Sequence, residues 1–291
     1  MRLERRHFLI LLGPTLLVLL GLLAFPTVYV LIVSLRDFQL TAGPTADHPL
    51  VGLENYASLL SDPAFFAALG RSLLFTVTSV GLTFVLGLAI ALLLNRRDIP
   101  GVGFTRTVIL VPLILTPLVI GATYRFMLET DNGIVNEILG FVGLGPVPFL
   151  ADPTWAMVSV ILVDAWQWTP FATLVLLAGL ESLPAEPFEA ARVDGASRWS
   201  TLWYITLPLL AAPIAVVLLI RTMDAFREFD KIFIMTAGGP GTATETLPLF
   251  LYRIGFQDFD MGSASATGLV MLIIVTIVSL LYVRRIHAAG E

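Results

Sequence analysis

The residues of this chain best suited to chemistry are polar and aromatic side chains inside a long apolar run, 155–180. A carboxylate and an amide beside aromatic faces suit a sugar, because sugar C–H faces stack on rings and hydroxyls need paired donors and acceptors. Pro170 lies among them and weakens the helical ladder near Trp166, which favours a helix that opens toward a cavity. The candidate ligand-binding side chains are Asp164, Trp166, Gln167, Trp168 and Phe171.

A second candidate group lies in the apolar run 207–226. Arg221 and Asp224 are three residues apart, so they share one face of a helix and can form an ion pair. Charges inside a membrane are costly, so each requires a partner or a function. Three interpretations stay open: the pair stabilises a helix bundle, Asp164 is the structural partner of Arg221, or Arg221 contacts the ligand. We expect Arg125, near the end of a third apolar run, to snorkel or to face an outer cavity.

The composition excludes a soluble globular protein. Of 291 residues, 57% are apolar and 13% are charged, and the mean hydropathy is +0.88, whereas soluble domains carry about 25% charged residues. The net charge of −5 argues against a nucleic-acid partner. The chain has no cysteine, and His7, His48 and His287 are too scattered for a metal motif. Its one lysine, Lys231, is not in a Gly-Lys-Ser/Thr motif, so no phosphate-binding loop for ATP is expected here.

Six apolar segments reach the length of about 20 residues that a helix needs to cross a bilayer. The first is too long for the core of a signal peptide and has no small-x-small cleavage site, so we expect it to be retained. The sequence predicts an all-α membrane protein with one transmembrane domain, 1–291, and six transmembrane helices. The predicted spans are about 8–33, 72–94, 105–128, 155–180, 207–226 and 263–283.

The distribution of arginine and lysine predicts the orientation, because basic residues concentrate on the cytoplasmic side. With the N-terminus inside, the inner segments carry ten of the 17 basic residues, including Arg2, Arg96 and Arg97. The outer loops are longer in total and carry five, including Lys231, together with most of the acids. We therefore expect both termini in the cytoplasm. The acids that form either a docking surface or simply a solvated face on the outer side are Glu228, Asp230 and Asp258.

The cytoplasmic loop 181–208 is predicted to form two short helices. Pro187 suits the first turn of one helix, and Gly195 ends that helix. Ser197 caps the second helix, whose apolar residues recur at helical spacing. An amphipathic hairpin lying on the inner leaflet is one interpretation of such a loop. The spacing of its residues favours a second interpretation, which follows from a sequence pattern within the loop.

The loop carries the pattern Glu189-Ala-Ala, three residues, Gly195, nine residues and Ile205-Thr-Leu-Pro208. This pattern resembles the EAA loop of ABC importer permeases. In that family the loop is the coupling helix that docks in a groove of the cytoplasmic ATPase, and Glu189 offers a carboxylate to an arginine of the partner. The resemblance implies a type I ABC importer permease fold. The residues to which it assigns ATPase coupling are Glu189, Ala190, Ala191, Asp194 and Gly195.

Further motifs resemble the carbohydrate-uptake group of these permeases, in particular the maltose-type first subunit. They are Gly52-Leu-Glu-Asn-Tyr56, Asp62-Pro63, Phe229-Asp230, Thr236-Ala-Gly-Gly-Pro240, Thr246-Leu247 and Tyr252. By this resemblance, the stretch from Asp164 to Phe171 lines up with the sugar pocket of the maltose permease, and Arg221 with a sugar-contacting serine. Trp168 is bulky where the maltose protein has a small residue, so the pocket is expected to differ in size.

The resemblance implies that the chain forms half of a translocation pore in a bacterial or archaeal cytoplasmic membrane. The implied partners are a second permease subunit, two ATPase subunits, an extracytoplasmic solute-binding protein, a maltose- or trehalose-like mono- or oligosaccharide, and the lipid bilayer. ATP and Mg²⁺ belong to the ATPase subunits. This chain is expected to bind no cofactor or metal and to have no catalytic residue.

Two other transport functions stay open. Arg221 makes glycerol phosphate a chemically sensible ligand for the same kind of importer. A proton-coupled secondary transporter would use Asp164 and Asp224 as proton relays, but it does not explain the EAA loop. An intramembrane protease is excluded, since no predicted span contains a His or Lys base and neither aspartate lies in a Tyr-Asp or Gly-x-Gly-Asp context.

Overall fold

The computed structural model describes residues 5–43, 47–95 and 102–290. Within those ranges the regular structure is helical, and extended backbone pairs only in isolated bridges. The all-α prediction is confirmed. Three arginines that contribute to the predicted orientation lie outside the described residues: Arg2, Arg96 and Arg97.

The helices of the described ranges are connected by turns and by longer loops, such as those before α8 and α14. In chain order they are α1 Arg5–Ser34, a 3₁₀ turn Leu40–Ala42, α2 Glu54–Ser61, α3 Pro63–Leu94, α4 Val102–Ile109, α5 Val111–Ile114, α6 Pro117–Met127, α7 Ile134–Phe141, α8 Pro153–Glu181, α9 Glu186–Val193, α10 Arg198–Thr201, a π-helical turn Leu202–Thr206, α11 Leu207–Leu209, α12 Ala211–Phe226, α13 Asp230–Thr236, α14 Leu247–Tyr252, a second π-helical turn Arg253–Gln257 and α15 Met261–Gly290.

Four continuous helices of the described chain are long and apolar enough to cross a membrane: α1, α3, α8 and α15. Two further candidates are bent pairs, and the total rises to six when each pair counts as one span. The pair formed by α4–α5 and α6 is bent by 92°, and the pair formed by α10–α11 and α12 is bent by 71°. The helices at the third and fifth predicted spans are therefore interrupted, not continuous.

Proline explains both bends. Leu115 and Thr116 are extended, with ψ of 139° and 146°. Pro117 accounts for Thr116, because proline disfavours helical backbone in the residue before it. At the second bend Leu210 has ψ of 6°, and Pro213 lacks the N–H that would donate to the carbonyl four residues earlier. Each bend leaves backbone polar groups outside the helical ladder.

Pro170 does not open α8. This helix runs without a break from Pro153 to Glu181 and is the most deeply buried of the four continuous candidates. Its start is fixed by Asp152, whose Oδ1 accepts from the N–H of Thr154 at 2.9 Å. Neighbouring helices can re-satisfy the backbone groups that a proline frees, so α8 continues through Pro170 without a break.

Apolar side chains cover the surface of the candidate spans. On α1, Leu17 is 74% exposed and Phe25 is 72% exposed. Soluble proteins rarely leave a long apolar surface of this kind open to water, whereas lipid tails are as apolar as leucine and need no covering. The exposure pattern therefore matches a helix that faces hydrocarbon.

Two compact units divide the chain. The first contains the described residues up to Ala67 together with Phe250–Ile273. In it, the Asn55 amide donates to the backbone carbonyl of Ser34 at 2.9 Å, and the Tyr56 hydroxyl lies 2.6 Å from the Ser34 hydroxyl. The Asn-Tyr pair of the sequence motif thus fixes the chain segment that follows α1.

The second unit contains Ala68–Leu249 and the described residues from Ile274. Helices α3 and α8 approach closely there, since a side chain at Gly87 would lie 2.5 Å from Ala172 Cβ. Its two buried apolar clusters include Phe75, Val160 and Ile232, and Leu176, Leu210 and Val217. These clusters hold in place the helices that carry the polar groups described next.

Candidate functional site

A fully buried carboxylate, that of Asp164 on α8, lies at the centre of the candidate site. Its Oδ2 accepts a hydrogen bond from Arg221 Nη2 on α12 at 2.6 Å. Its Oδ1 accepts from Lys231 Nζ on α13, and Ser79 Oγ on α3 donates to Oδ2. Four helices therefore meet at one side chain.

Lys231 extends this cluster. Its Nζ donates to Gln167 Oε1 at 2.9 Å and forms an ion pair with Glu228 Oε2 at 2.9 Å. Gln167 Nε2 donates in turn to the carbonyl of Leu115 at 3.1 Å. Because Leu115 lies at the bend before Pro117, the amide supplies a donor to a carbonyl at a helix break. A hydrogen bond from Gln167 thus connects the polar cluster to the bend of the third span.

The charges of the cluster balance. Asp164 and Glu228 contribute two carboxylates, and Arg221 and Lys231 contribute two cations. Buried charges require compensation of this kind, since an uncompensated ion in a low-dielectric interior is strongly destabilising. Burial raises the pKa of Glu228, which lies just after the fifth span, and the nearby Lys231 opposes that rise.

Arg221 also faces an aromatic ring. Its guanidinium carbon lies 4.6 Å from the centroid of the Trp168 ring, and Trp168 packs edge-on against Phe171 with centroids 6.0 Å apart. The Nε and Nη1 atoms of Arg221 and the Nε1 atom of Trp168 are buried and have no hydrogen-bond partner among the described residues. These three N–H groups are donors to which an acceptor oxygen could bind.

The structure brings together most of the predicted ligand-binding residues. Residues three, four and seven positions apart share a helix face, and this relation holds for the α8 residues of the cluster. They are Asp164, Gln167, Trp168 and Phe171. Trp166 lies off that face, is 39% exposed and packs edge-on against Tyr124 at 5.3 Å between ring centroids.

One predicted ion pair and one predicted location are wrong. Asp224 is bound to Arg227, with 2.5 Å between Oδ1 and Nη2, so the Arg221–Asp224 pair is absent. The reason is that Arg221 reaches into the interior, where Asp164 is the stronger attraction, while Arg227 is exposed at the end of α12. Of the two partners considered for Arg221, the structure therefore has Asp164, and whether Arg221 also contacts a ligand stays a prediction. Lys231, predicted in an outer loop, is fully buried.

The outer acids also separate into different environments. Glu228, predicted as a docking or solvated residue, is mostly buried against Lys231. Asp258 is exposed and paired with Arg253 at 3.3 Å, and Asp230 is the exposed first residue of α13. Sequence reasoning missed the central role of Lys231. One feature of the sequence indicated that Lys231 could belong to a buried ion pair. It is the only lysine of the chain and lies three residues after an acid, Glu228, at the end of an apolar run.

The predicted coupling loop forms two short helices, α9 and α10. Pro187 lies in the first turn of α9, and Gly195 after it has φ of +72°, a conformation that glycine adopts without strain. Ser197 caps α10, since its Oγ accepts from the N–H of Ser200 at 3.1 Å. Both helix-start predictions are confirmed, and the second helix continues through a π-helical turn toward the fifth span.

This loop exposes motif residues on α9 and aromatic side chains at α10. Glu189 and Ala190 are exposed, while Ala191 is buried and anchors α9. Trp199 is 68% exposed and packs edge-on against Trp203 at 5.7 Å. Large exposed aromatic side chains are typical of a surface that binds another protein.

An ion pair lies at the base of the loop. Arg106 on α4 pairs with Glu181, the last residue of α8, at 2.6 Å between Nη2 and Oε1. The same Nη2 lies 3.4 Å from the carbonyl of Leu94 at the end of α3. One guanidinium therefore connects three helix ends immediately before α9.

The bent spans and the exposed loop define the class of protein. The fold matches a chain of a bacterial ABC transporter that imports the acidic polysaccharide alginate, with a TM-score of 0.83 and 24% identity over 99% of this chain and 98% of that one. The chain therefore has the type I ABC importer permease fold that the loop predicted.

Sequence comparison gives the family. Residues 84–288 match the family of binding-protein-dependent transport system inner membrane components, and this chain belongs to that family. It is 39% identical to a probable ABC transporter permease protein of Sinorhizobium fredii, over 91% of this chain and 85% of that protein. It is 37% identical to the trehalose/maltose transport system permease protein of Thermococcus litoralis, over 82% of this chain and 80% of that protein.

Proposed function

We propose that this chain is a permease subunit of an ATP-driven sugar importer and forms half of its translocation pore. The observation that carries the proposal is the Glu189-Ala-Ala motif, which lies on the short helix α9 of an exposed loop in a chain of this family. The transported class is a mono- or oligosaccharide of the trehalose or maltose kind. Support for this class comes from the Thermococcus relative and from the aromatic residues around Arg221.

The proposed assembly needs several partners. A second permease subunit completes the pore, two ATPase subunits bind ATP and Mg²⁺ and hydrolyse ATP, and an extracytoplasmic solute-binding protein delivers the sugar. Both termini of this chain and loop 181–208 face the cytoplasm, and the membrane is the cytoplasmic membrane of a bacterium or archaeon. This chain itself binds no cofactor and makes or breaks no covalent bond.

Coupling follows from the mechanics of the loop. Glu189 presents an exposed carboxylate that suits an arginine of the ATPase, and the small Ala190 beside it allows close approach of backbone to partner. Gly195 fixes the turn, and Ala191 packs inward. A displacement of α9 by the ATPase is therefore transmitted to the end of α8 on one side and to α10–α12 on the other, where the bent span provides a hinge.

The proposed sugar site lies at the Arg221–Trp168 face. The free N–H groups of Arg221 and Trp168 donate to sugar oxygens, and Phe171 offers an aromatic face. Asp164 and Gln167 act as positioning residues, since their described hydrogen bonds go to protein groups. Trp166 and Asp224, the other two predicted ligand-binding residues, are proposed to lie at the rim of this sugar site.

The contacts of Arg221 and Asp164 also bear on two alternative functions. A glycerol phosphate importer would use the unpartnered guanidinium N–H groups of Arg221 for the phosphate, so this ligand belongs in the substrate panel. A proton-coupled transporter would need Asp164 as a proton relay, but two cations and a hydroxyl already donate to it. That environment disfavours a proton carrier.

The test is purification of the tagged chain from native membranes, identification of accompanying proteins and uptake assays in proteoliposomes. We expect an ATPase and a second permease to accompany the chain, and Glu189→Lys to abolish ATP-dependent uptake while the chain remains in the membrane. Glu186→Lys, on the same helix but outside the motif, is the matched control. Recovery of the chain alone, with uptake that is independent of ATP and sensitive to a protonophore, would refute the proposal.

A further inference from the structure

A cavity whose lining does not include the Asp164 cluster lies between the end of α6 and the loop after α13. Its volume is about 470 Å³, within the range of about 300–1,000 Å³ that small-molecule sites occupy. Its lining residues include Arg125, Phe126 and Glu129 at and just after the end of α6, Leu150 from the loop before α8, and Thr236 at the end of α13. None of these residues belongs to the polar cluster.

The wall formed by the Gly-Gly-Pro motif is held rigidly. The hydroxyl of Thr236 lies 2.7 Å from that of Thr244, and Thr244 Oγ1 donates to the carbonyl of Gly239 at 2.9 Å. The N–H of Gly239 donates to the carbonyl of Thr236 at 2.8 Å. On the other side, Arg125 Nη1 donates to the carbonyl of Ile234 at 3.1 Å. A cavity with walls fixed in this way is preformed, which lowers the entropic cost of binding a ligand.

The lining combines the groups that a neutral sugar needs. The Arg125 guanidinium makes one hydrogen bond to the described residues and retains further donors, and the Glu129 carboxylate, an acceptor, makes none with them. Phe126 is among the lining residues, and its side chain is 72% exposed. Paired donors and acceptors beside an aromatic face match a polyol, whereas Glu129 would repel a uronic acid.

We propose that this cavity is an outer binding subsite for a neutral mono- or disaccharide on its way to the Arg221–Trp168 site. The inference rests on the proposed function and on its orientation. Thr236 lies five residues after Lys231 on α13, a separation of about 7.5 Å along a helix. A sugar in the cavity would therefore lie one to two helical turns from the buried cluster, in position to enter when the cluster opens.

The experiment measures sugar binding to the purified permease–ATPase complex in nanodiscs, without the solute-binding protein. Equilibrium dialysis with labelled trehalose and maltose provides the neutral probes, and an alginate trisaccharide provides the acidic one. We expect Phe126→Ala to weaken binding of a neutral sugar by about fivefold, as expected for loss of one aromatic contact. Phe141→Ala, which removes an exposed phenylalanine of α7 away from the cavity, should leave binding unchanged. Glu129→Gln should increase binding of the acidic trisaccharide.

The outcomes separate this inference from the proposed function. If the wild-type complex takes up sugar with ATP but binds neither neutral probe, or if Phe126→Ala binds like wild type, the subsite is refuted and the importer stands. If Phe126→Ala instead lowers the ATPase stimulation produced by sugar-free binding protein, the cavity is a protein-docking site and the subsite is refuted. If the complex performs no ATP-dependent uptake, the proposed function itself fails.

Discussion

Arg221 on α12 and Asp164 on α8 form an ion pair in which both side chains are fully buried, with 2.6 Å between Nη2 and Oδ2. The pair does not exist alone, because Lys231 contacts the other carboxylate oxygen. One aspartate therefore compensates two cations, and Glu228 supplies the second negative charge. This relation makes Asp164 the residue on which the packing of α8, α12 and α13 most depends.

Removing that carboxylate should destabilise the protein. Asp164→Asn leaves Arg221 and Lys231 buried with one carboxylate between them, and breaking a buried ion pair costs about 3–5 kcal/mol. We expect a clear fall in the thermal unfolding midpoint of the detergent-solubilised complex. Asp224→Asn, which breaks a pair with the exposed Arg227, is the matched control and should cost about 1 kcal/mol or less. Equal, small effects of the two variants would contradict the central role of Asp164.

Two tryptophans on the same helix should differ in their effect on uptake. Trp168 contacts Arg221, whereas Trp166 lies off the cluster face against Tyr124. We expect Trp168→Ala to lower uptake by about tenfold with assembly intact, by loss of a ring beside the sugar. Trp166→Ala should impair uptake less, as expected for a residue at the rim. Initial uptake rates in proteoliposomes, normalised to the amount of assembled complex, measure this difference, and the reverse order would move the site to the Trp166 face.

The ion pair between Arg106 and Glu181 should affect coupling more than stability. It is partly exposed, so its contribution to stability is about 1 kcal/mol or less. Because it joins α4 to the end of α8 directly before α9, Arg106→Glu should reduce the amount of sugar transported per ATP hydrolysed. The double variant Arg106→Glu with Glu181→Arg restores the attraction and should recover the ratio. A ratio that stays normal in the single variant would show that the pair has no part in coupling.

Glu228 should make the stability of the protein depend on pH. Burial raises its pKa above the ordinary value of 4.5, so the folded protein holds the proton more tightly than the unfolded chain does. Stability should therefore fall as the pH rises from 4.5 through the raised pKa. Glu228→Gln removes this titration, so its unfolding midpoint should improve relative to wild type as the pH rises. The charged groups that act on Glu228 are Lys231 and Asp164. If the difference in unfolding midpoint between Glu228→Gln and wild type stays constant from pH 5 to pH 8, the raised pKa of Glu228 is contradicted.

The coupling loop shows how far local sequence can predict structure. Pro187 at the start of α9, Gly195 after its end and Ser197 before α10 act on their immediate neighbours, so their effects follow from residue type and spacing. The same is true of the bend at Pro117, whose cause is present in the sequence although the third span was predicted as continuous. Local signals of this kind depend little on the rest of the fold.

The polar cluster shows where such prediction ends. Arg221 and Asp224 are neighbours on one helix, and their spacing favoured a pair that the structure does not contain. Asp164 is instead joined to Lys231, 67 residues later. Such a pairing depends on the rotation of α8 and on the position of α13, which follows the fifth span and packs against α6 and α8.

The sequence by itself determined that this is an all-α membrane protein, where its apolar segments lie and which loop carries the importer motif. These features depend on hydropathy over about 20 residues and on fixed local spacing. The tertiary structure decided which charges meet, which aromatic ring faces Arg221 and that Lys231 is buried. The physical reason is that a buried charge is stabilised by groups within a few ångströms of it, and helices that are distant in the sequence supply those groups.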